Sequence, residues 1–212
     1  MFKKKFFFIA FEGVEGTGKS YQIDRLHRRL KKKKFKVIKT REPGGSKTAE
    51  KIRSLIFNKS SNTFHFLTDF YLMLASRNEH INKTILLAKK NKTIVITDRF
   101  TDSTYAYQSI GQGISKKIND INKEYILKKL KPNLTIVLKS SFNSIFLRLK
   151  KRKNKNRYDK LNKKFYIKIQ NTFINLSKAN KKSYLLFDSS QNDKKLEEKI
   201  FNCVIKKINN AK

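Results

Sequence analysis

The sequence predicts an α/β protein with a five-stranded parallel sheet and helices on both faces. Short apolar runs alternate with longer stretches whose apolar residues recur at three- and four-residue spacing, which is typical of a βαβ series. A glycine-rich octet follows the first apolar run directly, where such a protein turns from a strand into a helix. Only two prolines occur, Pro43 and Pro132, and both lie outside the predicted strands. The pattern therefore favours one continuous sheet.

The apolar runs predict the strands, and the periodic stretches between them predict the helices. The strands are expected at 6–11, 36–40, 93–97, 134–139 and 183–187. The helices are expected at 19–33, 47–57, 64–90, about 120–130, 142–151, 160–181 and 194–209. A chain of 212 residues is long enough for one α/β domain and short for two, so residues 1–212 are predicted to form a single domain.

The octet GVEGTGKS has the spacing G-x-x-x-x-G-K-[ST] of a phosphate-binding loop. Its glycines permit a tight turn in which backbone N–H groups point at phosphate oxygens. Lys19 adds a positive charge, and the Ser20 hydroxyl is suited to ligate Mg²⁺. The octet therefore predicts a P-loop NTPase fold. The residues expected to bind ATP are Gly13, Val14, Glu15, Gly16, Thr17, Gly18, Lys19 and Ser20.

The chain is strongly basic, with a formal net charge of +35. Such a chain attracts polyanions, but its lysines are spread along the whole length, as a biased base composition of the gene would also produce. Charge alone names no ligand, and we expect no specific nucleic acid partner. No apolar stretch reaches the roughly 18 residues of a membrane span, and the opening apolar run is shorter than that of a signal peptide. We therefore expect a cytoplasmic location and no membrane association.

Two charged residues stand at the carboxyl end of the third predicted strand, the edge where ligands of parallel sheets collect. Asp98 is a candidate for holding Mg²⁺ or its waters; its alternative role is to cap a helix over 101–109. Arg99 is a candidate clamp for a second phosphate. Glu15 lies inside the octet, where its carboxylate would be repelled by bound phosphates unless a metal ion or a substrate hydroxyl offsets the repulsion. A residue kept at this electrostatic cost is a candidate for a functional role.

The basic run 148–157 lies between two predicted helices. It is either a solvated face or part of a lid, which we place at about 148–160. Within it, Arg152 and Arg157 are candidates for the arginine that stabilises charge on a transferring phosphoryl group, an effect worth about 10³–10⁵ in rate.

Four segments together resemble thymidylate kinase, which makes dTDP from dTMP and ATP. They are GVEGTGKS, TREPGG at 40–45, DRF at 98–100 followed by STxAYQ at 103–108, and Arg157 in the basic run. The octet alone fits many proteins, whereas TREPGG combined with DRFxxSTxAYQ is specific. Gly16 and the basic run resemble bacterial members whose catalytic arginines come from the lid. The resemblance implies an ATP-dependent kinase that uses Mg²⁺ and forms a homodimer through 64–90 and 160–181.

The resemblance also implies roles for single residues. Glu15 would contact the sugar hydroxyl of dTMP, Arg99 would hold the acceptor phosphate, and Arg77 would read the carbonyl edge of thymine. The residues expected to bind dTMP are Glu15, Arg41, Pro43, Met73, Arg77, Arg99, Ser103, Thr104, Tyr107 and Gln108. The expected catalytic residues are Glu15, Lys19, Arg99, Arg152 and Arg157, and the expected metal ligands are Ser20 and Asp98.

The chain departs from the family pattern at several positions. The family commonly has a Phe that stacks on thymine where this chain has Met73, whose thioether packs on a ring less rigidly. Gln112 replaces a common arginine, and Asn156 and Asp159 replace an acidic residue and a Glu around the lid arginine. These changes concern the base contact, one phosphate-facing cation and the alignment of the lid.

Two other functions are compatible with the sequence. A deoxynucleoside kinase of similar architecture would phosphorylate a 5′-hydroxyl and would use Glu15 or Glu42 as a base, although Arg99 argues against this reaction. A P-loop ATPase that binds nucleic acid is prompted by the net charge. It predicts aromatic residues within a basic groove and hydrolysis that DNA stimulates.

Overall fold

The computed structural model describes residues 4–57, 64–115, 120, 122–152 and 162–211. Its strands are β1 (Phe7–Glu12), β2 (Val37–Arg41), β3 (Ile94–Asp98), β4 (Leu134–Lys139) and β5 (Tyr184–Asp188). They form one parallel sheet in the order β2-β3-β1-β4-β5. This sheet confirms the predicted fold class. Every strand except β4 begins and ends one residue later than its pattern indicated.

The helices that connect the strands lie close to their predicted positions. They are α1 (Lys19–Lys32), α2 (Lys47–Ile56), α3 (Phe66–His80), α4 (Leu86–Lys90), α5 (Thr101–Thr104), α6 (Phe142–Lys150), α7 (Lys163–Ala179) and α8 (Lys194–Asn210). Segments of π-helix occur at Ile81–Ile85, Tyr105–Gly111 and Asn122–Leu127. The single helix predicted at 64–90 is therefore observed as α3, the π-helical segment Ile81–Ile85 and α4 in direct succession. Among the helices in the described ranges, none is long and apolar enough to cross a membrane.

The central strand β1 is buried along its whole length. Its side chains alternate between the two faces of the sheet. Phe7, Ile9 and Phe11 pack in a cluster with residues of α1 and α8, whereas Phe8 and Ala10 pack in a second cluster with residues of 81–88. Helices therefore cover both faces, and β1 is a continuous apolar run because neither face meets water.

The carboxyl ends of three neighbouring strands finish level with one another. In the strand register, Asp98 at the end of β3 stands beside Phe11 of β1 and beside Arg41 of β2. The loop after β1, the loop after β2 and the turn after β3 consequently meet at one edge of the sheet. This edge is where the predicted ligand-binding residues converge.

Candidate functional site

A cavity of about 570 Å³ opens at the carboxyl edge of the sheet. The predicted residues that line it are Glu15, Gly16, Gly18, Lys19, Ser20, Arg41, Pro43, Met73, Arg77, Asp98, Arg99, Ser103, Thr104, Tyr107, Gln108 and Arg152. Gly13, Val14 and Thr17 belong to the same loop but do not line the cavity. The lid residues Asn156, Arg157 and Asp159 lie outside the described residues. The fold thus brings most of the predicted residues to one place.

The loop between β1 and α1 has the backbone conformation that its glycines predict. Gly16 and Gly18 have φ angles of +75° and +85°, in the left-handed region that residues with a Cβ disfavour. At Gly13 an added Cβ would lie 2.4 Å from the carbonyl oxygen of Leu138. Because α1 begins at Lys19, directly after the loop, the positive end of its dipole lies at the cavity. The loop is an anion-binding cradle made of backbone.

Lys19 supplies a buried cation to this cradle. Its ammonium group donates to the carbonyl oxygens of Gly13 and Val14, at 2.9 and 3.0 Å. Burial, and then repulsion by Arg99, lowers the pKa of Lys19 to about 8. A phosphate oxygen is a stronger acceptor for an ammonium group than a neutral carbonyl oxygen. Lys19 can therefore transfer its donors to a bound phosphate.

Ser20 and Asp98 approach each other across the cavity. The Ser20 hydroxyl donates to Asp98 Oδ2 at 3.2 Å, and Asp98 Oδ1 is buried without a hydrogen-bond partner among the described residues. One hydroxyl and one carboxylate beside a phosphate cradle fit Mg²⁺, which takes few protein ligands and completes its shell with phosphate and water. The capping role considered for Asp98 is not observed, because Phe100 is the N-cap of α5 and no side chain caps that helix.

Arg99 and Glu15 form an ion pair at the centre of the cavity. Arg99 Nη2 lies 2.7 Å from Glu15 Oε1, and the two side chains are only 16% and 10% exposed. Arg99 Nη1 donates to the carbonyl oxygen of Gly13 and to the hydroxyl of Ser103, while the Tyr107 hydroxyl donates to the other oxygen of Glu15. Although burial alone would raise it, Arg99 and Lys19 hold the pKa of Glu15 below its ordinary value. This pair offers a cation to a phosphate and an acceptor to a hydroxyl group.

A buried carboxyl group that the sequence analysis did not single out holds the turn that carries Arg99. Glu12 Oε1 accepts from the backbone N–H groups of Phe100 and Ser103, at 2.8 and 3.2 Å, and Glu12 Oε2 accepts from the Ser103 hydroxyl. Burial, and then the carboxylate of Asp102, raises the pKa of Glu12 to about 8. The signal in the sequence was a glutamate at the end of an otherwise apolar strand.

Arg77 is buried in a network formed by residues of α3, the loop after β2 and the segment after β3. Its Nε donates to Glu42 Oε2 at 2.8 Å, and its Nη2 donates to the carbonyl oxygen of Phe100 and the hydroxyl of Thr104. The other oxygen of Glu42 lies 2.9 Å from His80 Nδ1. Burial tends to raise the pKa of Glu42, but Arg77 and His80 hold it below its ordinary value. The guanidinium of Arg77 is therefore fixed in one orientation.

Besides Asp98 Oδ1, two buried polar atoms of the cavity residues have no hydrogen-bond partner among the described residues. They are Arg77 Nη1, a donor, and Gln108 Oε1, an acceptor. Unpaired polar atoms in a protein interior cost about 1–3 kcal/mol each, so they are usual only where a ligand or water completes them. This part of the cavity therefore fits a ligand that presents an acceptor and a donor.

Further residues that the sequence analysis did not assign also line the cavity, among them Arg53, Phe57 and Arg148. Arg53 of α2 donates to the carbonyl oxygen of Pro43 at 2.6 Å. Phe57, which follows α2, packs against the same apolar cluster as Met73. Arg148 of α6 donates to the carbonyl oxygen of Gly16 at 3.0 Å. Arg53 and Phe57 are one helical turn apart, and Arg148 begins the basic run, but neither spacing alone indicates which side of its helix meets the ligand.

Comparisons with known proteins show which family this chain resembles. Residues 11–200 match the family model described as thymidylate kinase. The thymidylate kinase of Vesicomyosocius okutanii is 37% identical over 193 residues, covering 91% of this chain and 94% of that protein. The thymidylate kinase of Mycoplasma capricolum is 33% identical over 203 residues, covering 95% of each. The crystal structure of thymidylate kinase from Ehrlichia chaffeensis superposes with a TM-score of 0.71 at 29% identity and covers 87% of both chains.

Proposed function

The chain belongs to the thymidylate kinase family, and we propose that it transfers the γ-phosphoryl group of ATP to dTMP, yielding ADP and dTDP for dTTP synthesis. An oxygen of the dTMP phosphate attacks the γ-phosphorus, and the bond to the β–γ bridging oxygen breaks. The acceptor phosphate is already ionised, so no general base is needed. The protein contributes positioning and positive charge.

The observation that carries this proposal is the pair of unsatisfied atoms, Arg77 Nη1 and Gln108 Oε1. The edge of thymine presents a carbonyl oxygen beside an N3–H group, which is an acceptor beside a donor. Cytosine presents an amino group beside an unprotonated N3, so both of its groups would oppose like groups of the protein. A site that hydrogen-bonds one pattern rejects the reverse pattern strongly, because buried groups would stay unpaired.

The acceptor phosphate is assigned to Arg99, and the deoxyribose to Glu15 and Tyr107. Arg99 is held by Glu15 and Ser103 within the cavity, so an incoming phosphate finds its guanidinium already oriented. Glu15 then has an oxygen that can accept from the sugar hydroxyl. Arg41 and Arg53 line the same side of the cavity and add positive charge.

The donor phosphates are assigned to the loop Gly13–Ser20, whose backbone and Lys19 form the cradle described above. Ser20 and Asp98 would hold Mg²⁺, which when bound neutralises charge on the phosphates. Arg152 lines the cavity, and we assign it, with Arg157, to the developing charge on the transferred group. Arg157→Ala is expected to lower turnover by orders of magnitude while ATP binding persists.

We also propose that two copies of the chain associate. Large apolar side chains are exposed along α2 to α4, among them Leu55, Phe66, Tyr71 and Leu87, each 45% exposed or more. On α7, Ile167 is also 43% exposed. Burying such surface favours association, and a homodimer would cover it. Because ATP and dTMP are intracellular nucleotides, we propose the cytoplasm as the location.

The test is ADP formation from ATP and Mg²⁺ at one fixed salt concentration, with dTMP, thymidine, AMP or single-stranded DNA offered separately. Turnover that requires dTMP and yields dTDP is expected. Phosphorylation of thymidine in preference to dTMP would mean a deoxynucleoside kinase. Hydrolysis that DNA stimulates and dTMP leaves unchanged would mean an ATPase that binds nucleic acid. Either of these two results would overturn the proposal.

A further inference from the structure

Every strand of the sheet is preceded by a segment that contains two or more lysines. These segments are 4–6, 31–36, 89–93, 128–133 and 181–183, and none of them contains an Asp or a Glu. Because all five strands are parallel, the segments lie together at the end of the sheet opposite the cavity, which we call the amino edge. Its exposed lysines are Lys4, Lys31, Lys32, Lys33, Lys34, Lys36, Lys89, Lys90, Lys92, Lys128, Lys129, Lys131, Lys181 and Lys182.

The amino edge presents these lysines as a row of positive charge. In the strand register, Ile94 of β3 stands beside Phe7 of β1 and beside Val37 of β2, so these three strands begin level with one another. Five strands about 4.8 Å apart make the row roughly 20 Å long, a length over which duplex DNA carries about 12 phosphates. Within the described ranges, no lysine of the amino edge forms an ion pair. The row is therefore free to bind an extended polyanion.

Stabilisation of helix ends accounts for only some of these lysines. A lysine in the last turn of a helix interacts favourably with the negative end of the helix dipole, and this effect falls off within that turn. The helix α1 ends at Lys32 and α4 ends at Lys90, yet Lys34, Lys36 and Lys92 lie beyond those ends. The charge of the amino edge thus extends further than the helix dipoles require.

Two of these lysines occupy backbone positions that favour glycine or asparagine. Lys34 and Lys92 have φ angles of +63° and +47°. Each closes its helix in the same way, because the N–H of the next residue donates to the carbonyl oxygen five residues before it, at 3.1 Å after Lys34 and at 2.9 Å after Lys92. A gene rich in adenine and thymine supplies asparagine codons as readily as lysine codons, and Asn192 has such a left-handed angle, +48°, elsewhere in the chain. Base composition alone therefore does not account for lysine at both positions.

We propose that the amino edge binds the phosphate backbone of duplex DNA without sequence preference. Lysine binds phosphate as a point charge, and phosphate contacts carry no sequence information. A single strand is usually held by exposed aromatic rings on which its bases stack. The aromatic residues of the amino edge do not serve this purpose, because Phe35 is 5% exposed and Phe6 packs against the apolar cluster around Phe8. Only the choice of DNA over RNA rests on the proposed function, since dTTP is consumed in DNA synthesis.

The test measures the Kd of the full chain for a fluorescent DNA duplex of about 20 base pairs at several salt concentrations. The main variant replaces four lysines at left-handed φ angles with the residue that tolerates such angles, so its Tm should stay constant or rise. At about 0.1 M salt its Kd for DNA should nevertheless rise at least about 10-fold, and the slope of log K against the log of the salt concentration should weaken by about 4. This variant is Lys34→Asn/Lys92→Asn/Lys128→Asn/Lys129→Asn.

The matched control removes the same charge from exposed lysines of α2 and α8, which lie outside both the amino edge and the cavity. Its Kd for DNA should stay within about twofold of the wild-type value, because charges further away than the Debye length of about 10 Å are screened. An equal loss in the control would mean that net charge alone binds DNA, and it would overturn the proposal. The control is Lys47→Gln/Lys51→Gln/Lys194→Gln/Lys195→Gln.

A second variant of the amino edge serves where the main variant fails to fold, because its four lysines are exposed. It should weaken DNA binding as the main variant does, and wild-type affinity in it would overturn the proposal. This second variant is Lys33→Gln/Lys36→Gln/Lys90→Gln/Lys131→Gln.

The remaining measurements use the wild-type protein. Saturating duplex DNA should leave the kcat for dTMP unchanged, because the amino edge and the cavity lie at opposite ends of the sheet. Competition between DNA and ATP would place the DNA in the cavity and overturn the proposal. Tighter binding of single-stranded DNA, duplex RNA or phosphatidylglycerol vesicles than of duplex DNA would also overturn it. A protein that binds duplex DNA in this way but does not phosphorylate dTMP would contradict the proposed function and leave the phosphate-binding edge standing.

Discussion

The proposed function divides the cavity into a donor half and an acceptor half, and the two are built from different groups. The donor half is the loop Gly13–Ser20, in which glycine backbone and one lysine form the phosphate cradle. The acceptor half is centred on Arg77 and Arg99, and its side chains are brought together from β1, the loop after β2, α3 and the segment after β3. Glu15 of the phosphate loop pairs with Arg99 and joins the two halves. Backbone can bind any phosphate, whereas placed side chains can recognise one base. The difference assigns generic binding to one half and selectivity to the other.

The two halves also differ in how they depend on the rest of the protein. The donor half holds its shape through local backbone angles. The acceptor half contains buried ion pairs, and Arg77 and Glu42 are 3% and 5% exposed. Removing one member of a buried pair strands the other. Substitutions in the donor half should therefore affect chemistry and ATP binding, and substitutions in the acceptor half should affect stability as well.

The largest effect is expected from Lys19→Met. The variant removes the cation at the donor phosphates, and kcat should fall about 10²–10³-fold, the usual loss for one electrostatic stabiliser. Its Tm should not fall, because the substitution removes the buried Lys19 charge itself and does not take the ion-pair partner away from another buried charge. Steady-state kinetics, dTMP titration and thermal unfolding check this, with Lys123→Met, an exposed lysine paired with Asp120, as the control. A collapse of dTMP affinity would contradict the separation of the halves.

The next effect is on stability, in Arg77→Leu. This change leaves Glu42 buried without its guanidinium partner, and the free energy of unfolding should fall by about 3–5 kcal/mol. The Tm should consequently drop by roughly 10 °C. In the matched variant Arg25→Leu, the lost partner is Glu197 in a looser ion pair at 3.8 Å, so the loss should be about 0–1 kcal/mol. Equal Tm losses in the two variants would show that burial of the Arg77–Glu42 pair adds nothing to its effect on stability.

Two glycines test the donor half more finely. Gly18 and Gly113 have similar left-handed φ angles, +85° and +78°. A Cβ at Gly18 would lie 2.5 Å from the Asn192 side chain, whereas a Cβ at Gly113 would meet nothing within 4 Å. Gly18→Ala should raise the KM for ATP about 10-fold, beyond the roughly 1 kcal/mol of backbone strain that both variants share. If Gly113→Ala raises the KM for ATP as much, local loop geometry is not the cause.

The last effect is a pH dependence that comes from Glu12. Its pKa is about 8 in the folded protein against an ordinary value of 4.5, so the folded state keeps a proton that the unfolded state loses. Glu12 therefore costs stability as the pH rises from about 4.5 to about 8, and the cost is constant above that range. The Tm of Glu12→Gln minus that of the wild type should grow between pH 5 and pH 8. A difference that stays constant over this range would mean that Glu12 is ionised throughout.

The sequence was sufficient for those features that are local in the chain. The apolar runs predicted the bounds of every strand to within one residue. The glycines of the octet predicted its left-handed backbone angles. Glu12, Arg53 and Phe57 were not assigned, because their roles depend on neighbours distant in sequence: Glu12 bonds to residues about 90 positions away. The wider π-helical turn at Ile81–Ile85 was also not predicted, since apolar periodicity does not separate it from an α-helix.

The most direct test of selective recognition by the acceptor half is the ratio of kcat/KM for dTMP to kcat/KM for dCMP in the wild-type protein, measured at saturating ATP and Mg²⁺. In the proposed function, Arg77 Nη1 and Gln108 Oε1 match thymine and oppose cytosine. The ratio should therefore exceed about 100 and should fall sharply in Arg77→Lys, whose ammonium group cannot keep the contacts to Glu42 and the base together. A wild-type ratio near one would contradict the account.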